Sequence, residues 1–243
     1  MQNINSKQIL DRFSNRMNIK ESSVPLFEVD TNLNVNIHEV GKTRKRLVLS
    51  RDRRMEELII NETKKLVSDW ELSANQYDGL IYIMSYQDSE SNFVPLYIGK
   101  TETFGKSERN LSVNIKNLAT DQSKFARWGD GYQYHIGDLS AIVLAHAGKE
   151  KAGAKYRDWA DKMFVDYPIR STEKPKLKKQ VFFWTMAWPK SSTGPWEEFG
   201  PTNLTFLEYL LIGIASSAYP ETVLNKEGQN RGQVKAQIRL SKP

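Results

Sequence analysis

Two tyrosines, Tyr82 and Tyr97, lie in neighbouring apolar segments that are joined by a polar stretch, residues 88–92. Both segments alternate as β-strands do, so side chains two positions apart share one side of the strand. These sides carry Tyr82, Met84 and Tyr86 in the first segment and Pro95, Tyr97 and Gly99 in the second. A turn centred on Ser89 and Glu90 would set Tyr82 directly opposite Tyr97. The sequence therefore predicts a hairpin that brings two phenol groups to one place.

Lys100 follows the second tyrosine segment, in the tripeptide Gly99-Lys100-Thr101. A phenol titrates near pH 10 in water. Nearby positive charge favours its ionised form, so Lys100 is a candidate helper for proton transfer by the tyrosine pair. A nucleotide-binding interpretation of the tripeptide fails, because the phosphate-cradling loop needs a glycine where this chain has Val94.

Residues 125–140 are dense in the side-chain types that serve in active sites. Arg127 and Trp128 precede a turn at residues 129–131, and His135 follows it, so the chain can fold back and bring Arg127 to His135. A guanidinium is a planar fork donor of the kind that phosphate recognition requires. His135 is equally compatible with a semi-buried structural histidine, and Trp128 is better explained as a core residue than as a platform for bases.

Glu208 lies in an apolar segment, residues 204–217, which is predicted to form a helix capped by Asn203. It shares one helical face with apolar side chains, namely those of Leu204, Leu211 and Ala215. A lone carboxylate on such a face is costly unless it is paired. Two explanations stay open: an ion pair with a buried arginine or lysine, or a divalent metal ion, because hard cations take carboxylate oxygen. Pro220 and Asn225 follow the helix.

The order of these motifs resembles the signature of the GIY-YIG nuclease family. The first half is Gly79-Leu80-Ile81-Tyr82, in which the glycine stands one position early, and the second is Leu96-Tyr97-Ile98-Gly99-Lys100-Thr101. An arginine, a histidine, a helical glutamate, a proline and an asparagine then follow in the family's order. The resemblance spans residues 79–230.

The resemblance implies a small α/β unit of the α+β kind, a three-stranded antiparallel sheet flanked by helices. That unit covers residues 76–243, and residues 1–75 form an N-terminal extension packed on it. The implied activity is metal-dependent hydrolysis of DNA phosphodiester bonds by an endonuclease. An inactive nucleic-acid-binding module on the same fold, and a structural protein whose tyrosines only pack across the strands, are the alternatives.

The resemblance also assigns roles to the tyrosines and the basic residues. Tyr82 would orient or deprotonate the attacking water, Tyr97 would bind the phosphate, and Arg127 would hold a non-bridging oxygen with His135 beside it. Arg109 competes with Arg127 for this part, because its spacing is closer to that of the compact family members. Arg127 is preferred for its turn-rich context.

The remaining roles concern the metal and the DNA. Glu208 would bind Mg²⁺ or Mn²⁺, and Asn225 would brace the site. Lys100 and Arg109 are expected to contact the DNA, which would be double-stranded. Double-strand cutting by an enzyme with one site would favour a homodimer or sequential nicking.

Charge and composition agree with a polyanionic partner. The net charge is +6 and the pI is about 9.3, which favours nucleic acid. Basic residues cluster in residues 42–54, 174–179 and 226–242. Each cluster alone is also compatible with a solvated surface. Together they favour a DNA partner.

Several classes of protein are excluded by what the chain lacks. It has no cysteine, and its three histidines show no metal-binding spacing, so disulfides, thiolate catalysis and cysteine zinc sites are excluded. No apolar run is long enough to span a bilayer, and the first residues do not resemble a signal peptide. We therefore expect a cytoplasmic protein without a membrane partner.

Periodicity predicts the elements that must position these residues. The predicted elements are a helix at 6–17, a hairpin through 35–49 turning at Gly41, a helix capped by Asp52, a helix at 107–119, a helix capped by Asp138 and reaching Phe164, and a buried strand at 180–188. The charged face of the Asp138 helix, Lys149 to Arg157, is expected to face solvent.

Overall fold

The computed structural model describes residues 5–43, 45–88, 92–105, 110–118, 120–148, 153–169 and 173–230. Its elements are, in chain order, α1 (Ser6–Arg16), α2 (Ile19–Ser22), β1 (Val24–Pro25), β2 (Ile37–Val40), β3 (Arg46–Leu49), α3 (Arg53–Glu71), β4 (Tyr77–Gln87), β5 (Phe93–Glu102), α4 (His135–Val143), α5 (Ala154–Met163), β6 (Phe182–Pro189) and α6 (Leu204–Ala218). Short 3-10 turns lie at Phe125–Arg127 and Glu197–Phe199. The fold is a mixed α+β one, as predicted.

The main sheet is antiparallel and has four strands in the order β1-β6-β4-β5. Strand β6 pairs with β4 over most of its length, which confirms the third strand beside the hairpin. The prediction of three strands is wrong, because Val24 and Pro25 pair with Phe183 and Phe182 at the outer edge of β6. A two-residue strand is too short to show alternation, and proline is tolerated at a sheet edge.

The register of the β4–β5 hairpin differs from the prediction. Tyr82 lies opposite Gly99 and Met84 lies opposite Tyr97, so the prediction that the two tyrosines face each other directly is wrong. A β-bulge leaves Leu96 without a partner on β4, and strand alternation does not reveal such an extra residue. The two tyrosines still share one face as diagonal neighbours, with ring centroids 6.4 Å apart. The predicted turn residues, Ser89 and Glu90, lie outside the described residues.

Each face of the sheet is covered by a different set of helices. The face that carries Tyr82 and Met84 packs against residues of α3, α4 and α5. The opposite face, with Ile81 and Ile83, packs against α1 and α6. The alternating side chains of β4 therefore belong to two separate cores, which is why this strand is apolar throughout.

Several helix predictions are confirmed and two are wrong. Helices α1, α3 and α6 form where predicted, and Asp52 and Asn203 cap α3 and α6 through their side chains. Residues 110–118 of the helix predicted at 107–119 form turns instead. Ser112 bonds to the backbone of Thr103 and of its own turn, so local polar groups compete with helix formation.

The helix predicted to begin at Asp138 begins at His135 instead. Asp138 accepts a hydrogen bond from the Gln133 backbone within the first turn. The chain then leaves the helix at Ala145 and Gly148, both with positive φ. Two shorter helices, α4 and α5, therefore replace the single predicted one.

The N-terminal part belongs to the same body as the rest of the chain. Strand β1 extends the main sheet, while α1 packs on α6 and α3 packs on β6. The β2–β3 hairpin forms a separate pair that turns at Gly41, as predicted. Within the described ranges, no helix combines the length and the apolar character needed to cross a bilayer.

Candidate active site

A cavity of about 340 Å³ opens beside β5, between α5 and α6. It is lined by Tyr97, Lys155, Glu208, Tyr209, Ile212, Leu224, Asn225, Lys226 and Glu227. Three residues predicted from the sequence, Tyr97, Glu208 and Asn225, therefore meet in one place. The cavity is half open to solvent and mixes polar with apolar walls, so it offers room for a charged substrate group.

Tyr97 and Lys155 form the polar centre of this cavity. The Lys155 Nζ donates a hydrogen bond of 3.0 Å to the Tyr97 hydroxyl. Burial raises the pKa of Tyr97 to about 12, against the opposing positive charge of Arg127. Burial also lowers the pKa of Lys155 to about 8, and the Arg127 guanidinium adds to this effect. A lysine and a phenol thus share a hydrogen bond in a partly desolvated place.

Tyr82 lies behind Tyr97 rather than on the cavity wall. Its side chain is 3% exposed, and its hydroxyl lies 3.2 Å from Nε2 of the equally buried His135. The other nitrogen, Nδ1 of His135, lies 3.0 Å from the Tyr156 hydroxyl. Burial raises the pKa of Tyr82 and, together with Lys155 and Arg127, lowers that of His135 well below its usual value. A neutral imidazole therefore connects two neutral phenols.

Gly99 makes room for the Tyr82 ring. A Cβ atom at this position would come within 2.5 Å of Cε2 and 2.7 Å of the hydroxyl oxygen of Tyr82. Because Gly99 is the cross-strand partner of Tyr82, the ring occupies the space that a side chain at position 99 would need. The glycine of the second motif thus has a packing role that its spacing alone does not reveal.

Arg127 lies at the end of a strained turn near this cluster. Phe125, Ala126 and Arg127 all have positive φ, and such a run of non-glycine residues is held only when its surroundings fix it. The Thr101 hydroxyl bonds the Ala126 carbonyl at 3.1 Å. The positive charge of Arg127 lowers the pKa values of Tyr97, His135 and Lys155, and in each case burial has the larger effect on the pKa. The contact of the Arg127 guanidinium is with the Tyr134 ring, whose centroid lies 5.4 Å away, so convergence of Arg127 with His135 stays a prediction. Arg109 lies outside the described residues.

Glu208 is half-buried, and burial raises its pKa against the opposing charges of Lys100 and Lys155. Lys100 itself pairs with Glu102. Within the described part of the chain, no hydrogen bond or ion pair holds the Glu208 carboxylate. The hypothesis of a buried structural ion pair at Glu208 therefore finds no partner among those residues, and the carboxylate faces the cavity.

The donor set suits a cation that keeps much of its own water. No group of three or more acidic or histidine side chains in the described ranges is arranged to hold a metal ion. Mg²⁺ is commonly held by one or two carboxylates, with water and substrate phosphate completing its shell. Glu208, with Glu227 on the same cavity wall, fits that pattern, whereas a cage built entirely of protein ligands does not.

Asn225 braces the edge of the sheet. Its amide accepts from the Ile98 N–H at 3.0 Å and donates to the Ile98 carbonyl at 2.8 Å. The adjacent Leu224 N–H bonds the Leu96 carbonyl at 2.7 Å. With its side chain 6% exposed and its amide bonded on both sides to Ile98, Asn225 holds the strand that carries Tyr97.

Lys155 and Tyr156 are the site residues that sequence reasoning missed. The prediction that Lys149 to Arg157 faces solvent is wrong for both, because Lys155 lines the cavity and Tyr156 contacts His135; residues 149–152 lie outside the described ranges. The available signal was the aromatic spacing of Tyr156 and Trp159, which turns this helix inward and carries Lys155 with it.

Ion pairs neutralise much of the first predicted basic cluster in the described ranges. The ion pairs in the first cluster are Lys45–Glu39, Arg51–Glu56, Arg53–Glu57 and Arg54–Asp52. In the second cluster, Lys178 donates to the Asp161 backbone carbonyl, which compensates no charge. In the third, Lys226 pairs with Asp158, and residues 231–242 lie outside the described ranges. The ion pairs of the first cluster weaken the case that it binds phosphate, and the main support for a functional site comes from the cavity.

Comparisons of the chain with protein-family models, with curated proteins and with solved structures found no match.

Proposed function

We propose that this chain is a metal-dependent endonuclease that hydrolyses DNA phosphodiester bonds through a site of the GIY-YIG type. One observation carries the proposal: a phenol, an ammonium group and a carboxylate, those of Tyr97, Lys155 and Glu208, line the same cavity. The motif order in the sequence led to two of these three residues. Their meeting in one cavity supports the proposal independently of the motif.

Phosphodiester hydrolysis requires an attacking water, donors for the non-bridging oxygens and compensation of the negative charge that develops. A divalent metal ion bound by Glu208 would supply charge compensation and a water of lowered pKa. The Arg127 guanidinium, whose charge acts on the whole cluster, would hold a non-bridging oxygen.

We assign different roles to the two tyrosines. Tyr97 lines the cavity and would touch the substrate phosphate. Tyr82 is buried behind it with its hydroxyl against His135, so it would support Tyr97 and the edge of the site from within. This assignment keeps the phosphate contact at Tyr97 and no longer gives Tyr82 the attacking water.

The test is cleavage of supercoiled plasmid in Mg²⁺ and in Mn²⁺. We expect the wild-type protein to nick or linearise the plasmid, and Glu208→Ala and Tyr97→Phe to lose at least about 100-fold in rate, the usual effect of removing a catalytic donor or acid–base group. Glu221→Ala is the matched control, because Glu221 is exposed and lies outside the cavity. Cleavage by Glu208→Ala at the wild-type rate would refute the proposal.

A nucleic-acid-binding module without catalysis is the second candidate. The burial of Tyr82, whose hydroxyl is engaged by His135, favours it, because the first motif tyrosine is then not presented to a substrate. Such a module would bind DNA with a steep dependence on salt concentration. It would leave plasmid intact in both metal ions, whereas the nuclease would not.

A further inference from the structure

We propose that Lys155 is a positioning residue that acts through Tyr97: it turns the phenol hydrogen toward the cavity, where the phenol donates to a phosphoryl oxygen of the bound nucleic acid. The phosphoryl part rests on the proposed function. The Lys155–Tyr97 part rests on the geometry of the two side chains.

The direction of the hydrogen bond between Lys155 and Tyr97 decides where the phenol hydrogen points. An ammonium group has three donors and no acceptor, so at the 3.0 Å contact the Tyr97 oxygen accepts from Lys155. The phenol has one hydrogen of its own, which must then point away from Lys155. Because Tyr97 lines the cavity together with Glu208 and Asn225, we place this hydrogen on the cavity side of the hydroxyl.

Aromatic rings around Lys155 hold its ammonium group beside the Tyr97 hydroxyl. Its Nζ lies 4.4 Å from the ring centroid of Tyr97, 5.4 Å from that of Tyr156 and 5.2 Å from that of Trp159. Three aromatic faces therefore hold the ammonium group by cation–π attraction. Within the described ranges no carboxylate lies within ion-pair distance of it, so its specific polar contact is the Tyr97 hydroxyl.

The charges around Lys155 agree with this role. Arg127 and Lys226 repel the ammonium group, whereas Glu208 and Asp138 attract it from other elements. A cation beside a phenol favours developing negative charge on the phenol oxygen. Donation from Lys155 thus makes Tyr97 a better donor to an anionic oxygen.

The substrate chemistry follows from the donors. Tyr97 offers one hydrogen to the cavity, and the Arg127 guanidinium adds positive charge nearby. A phosphoryl oxygen can accept the Tyr97 hydrogen, and its negative charge is attracted by the ammonium groups of Lys155 and Lys226 on the same cavity wall. The expected ligand class is therefore a phosphodiester, here that of DNA.

The experiment compares Lys155→Met with Lys162→Met by NMR of protein labelled at tyrosine ¹³Cζ. Lys162 lies on the same helix, but its Nζ bonds the Glu221 carbonyl, so it is the matched control. Tyr97→Phe identifies the Tyr97 resonance. We expect that resonance to move in Lys155→Met and to keep its position in Lys162→Met.

The same samples test the phosphoryl contact. A short DNA duplex should shift the Tyr97 resonance in the wild type and in Lys162→Met, and leave it unmoved in Lys155→Met. In plasmid cleavage, kcat of Lys155→Met should fall on the order of 100-fold with a smaller change in KM, and Lys155→Arg, which keeps a donor, should recover part of the loss.

The outcomes separate the two proposals. An unchanged Tyr97 resonance in folded Lys155→Met, or an equal change in Lys162→Met, would overturn the role of Lys155. A duplex that does not shift the wild-type resonance would overturn the phosphoryl contact. A wild type that binds the duplex at Tyr97 but cleaves no plasmid would refute the nuclease and leave the Lys155–Tyr97 coupling intact.

Discussion

His135 is the most constrained residue of the site. It is 2% exposed, and both ring nitrogens lie within hydrogen-bond distance of a phenol. A neutral imidazole can donate from one nitrogen and accept at the other, so it satisfies Tyr82 and Tyr156 at once. A protonated imidazole would place an uncompensated charge among aromatic rings, and for this reason burial lowers its pKa.

This arrangement predicts a pH dependence of stability. Above pH 6.5 His135 is neutral in both the folded and the unfolded chain, so it contributes no slope. Below pH 6.5 the unfolded chain takes up a proton that the folded chain refuses, so the free energy of unfolding falls with pH by up to about 1.4 kcal/mol per unit. Urea unfolding, measured between pH 7.5 and 5 in steps of roughly half a unit, should give a steeper fall of the free energy of unfolding with falling pH in the wild type than in His135→Gln. Equal slopes in the two proteins would contradict a buried neutral His135.

The sequence identifies some site residues and not others, for physical reasons. Tyr97, Glu208 and Asn225 follow from motif order and from a carboxylate that interrupts an apolar helical face. Lys155 carries no such signal itself, because a lysine within a polar helix has the same local pattern whether it faces water or a cavity; the neighbouring Tyr156 and Trp159 indicate only that this helix turns one face inward. Its place is decided by Tyr97, which lies far away in the chain, and by the rings around it.

At the scale of elements, the segment that carries Arg127 is held by an arginine from the N-terminal part. Arg51 is buried; its guanidinium bonds the Trp128 carbonyl at 3.1 Å and the Gln122 side chain at 2.7 Å. It also stacks on the Phe125 ring, with 4.6 Å between the guanidinium carbon and the ring centroid. The basic cluster that contains Arg51 thus contributes to the site by positioning a strained turn rather than by binding phosphate.

Arg51→Met should therefore loosen this turn. Losing hydrogen bonds from a buried charged donor should reduce the free energy of unfolding by about 2 to 4 kcal/mol. Hydrogen exchange should accelerate at the amides of Ala126, Arg127 and Trp128, which bond to backbone carbonyls in and around the turn. Arg53→Met is the control, because Arg53 makes an exposed pair with Glu57 that should contribute less than about 1 kcal/mol. Equal effects of the two substitutions would contradict the positioning role.

Element prediction succeeded where local patterns decide the outcome. Asp52 and Asn203 cap the helices that follow them, and the apolar run of β6 became a central strand. It failed at the Leu96 bulge and at the short edge strand β1. Both depend on contacts with distant parts of the chain, which alternation and capping patterns do not encode.

At the scale of the whole molecule, the described residues of the N-terminal part, 5–43 and 45–75, belong to one packed structure. Strand β1 covers the edge of β6, α1 lies on α6, and α3 lies on β6. Leu10 and Phe13 of α1 are buried in the core that also contains Ile81 and Ile98. If residues 1–75 were only an extension on a complete domain, Ile81 and Ile98 would stay covered after its removal.

A chain that begins at residue 76 should consequently fail to fold. Removing α1 and α3 would expose apolar residues on both faces of the sheet. The free energy lost with that buried apolar area exceeds the net free energy of unfolding of a typical domain. We expect the shortened chain to lack near-ultraviolet circular dichroism and a cooperative urea transition, both of which the full chain should show. A sigmoidal transition in the shortened chain would instead identify residues 76–243 as an independent domain.

The outer edge of β5 carries a further consequence. Leu224 and Asn225 form hydrogen bonds with the backbone groups of Leu96 and Ile98 on that edge. An uncovered strand edge recruits strands from other molecules and promotes aggregation. The segment that closes the cavity thus also protects the protein from joining its neighbours sheet to sheet, so solubility and the shape of the cleft depend on the same few hydrogen bonds.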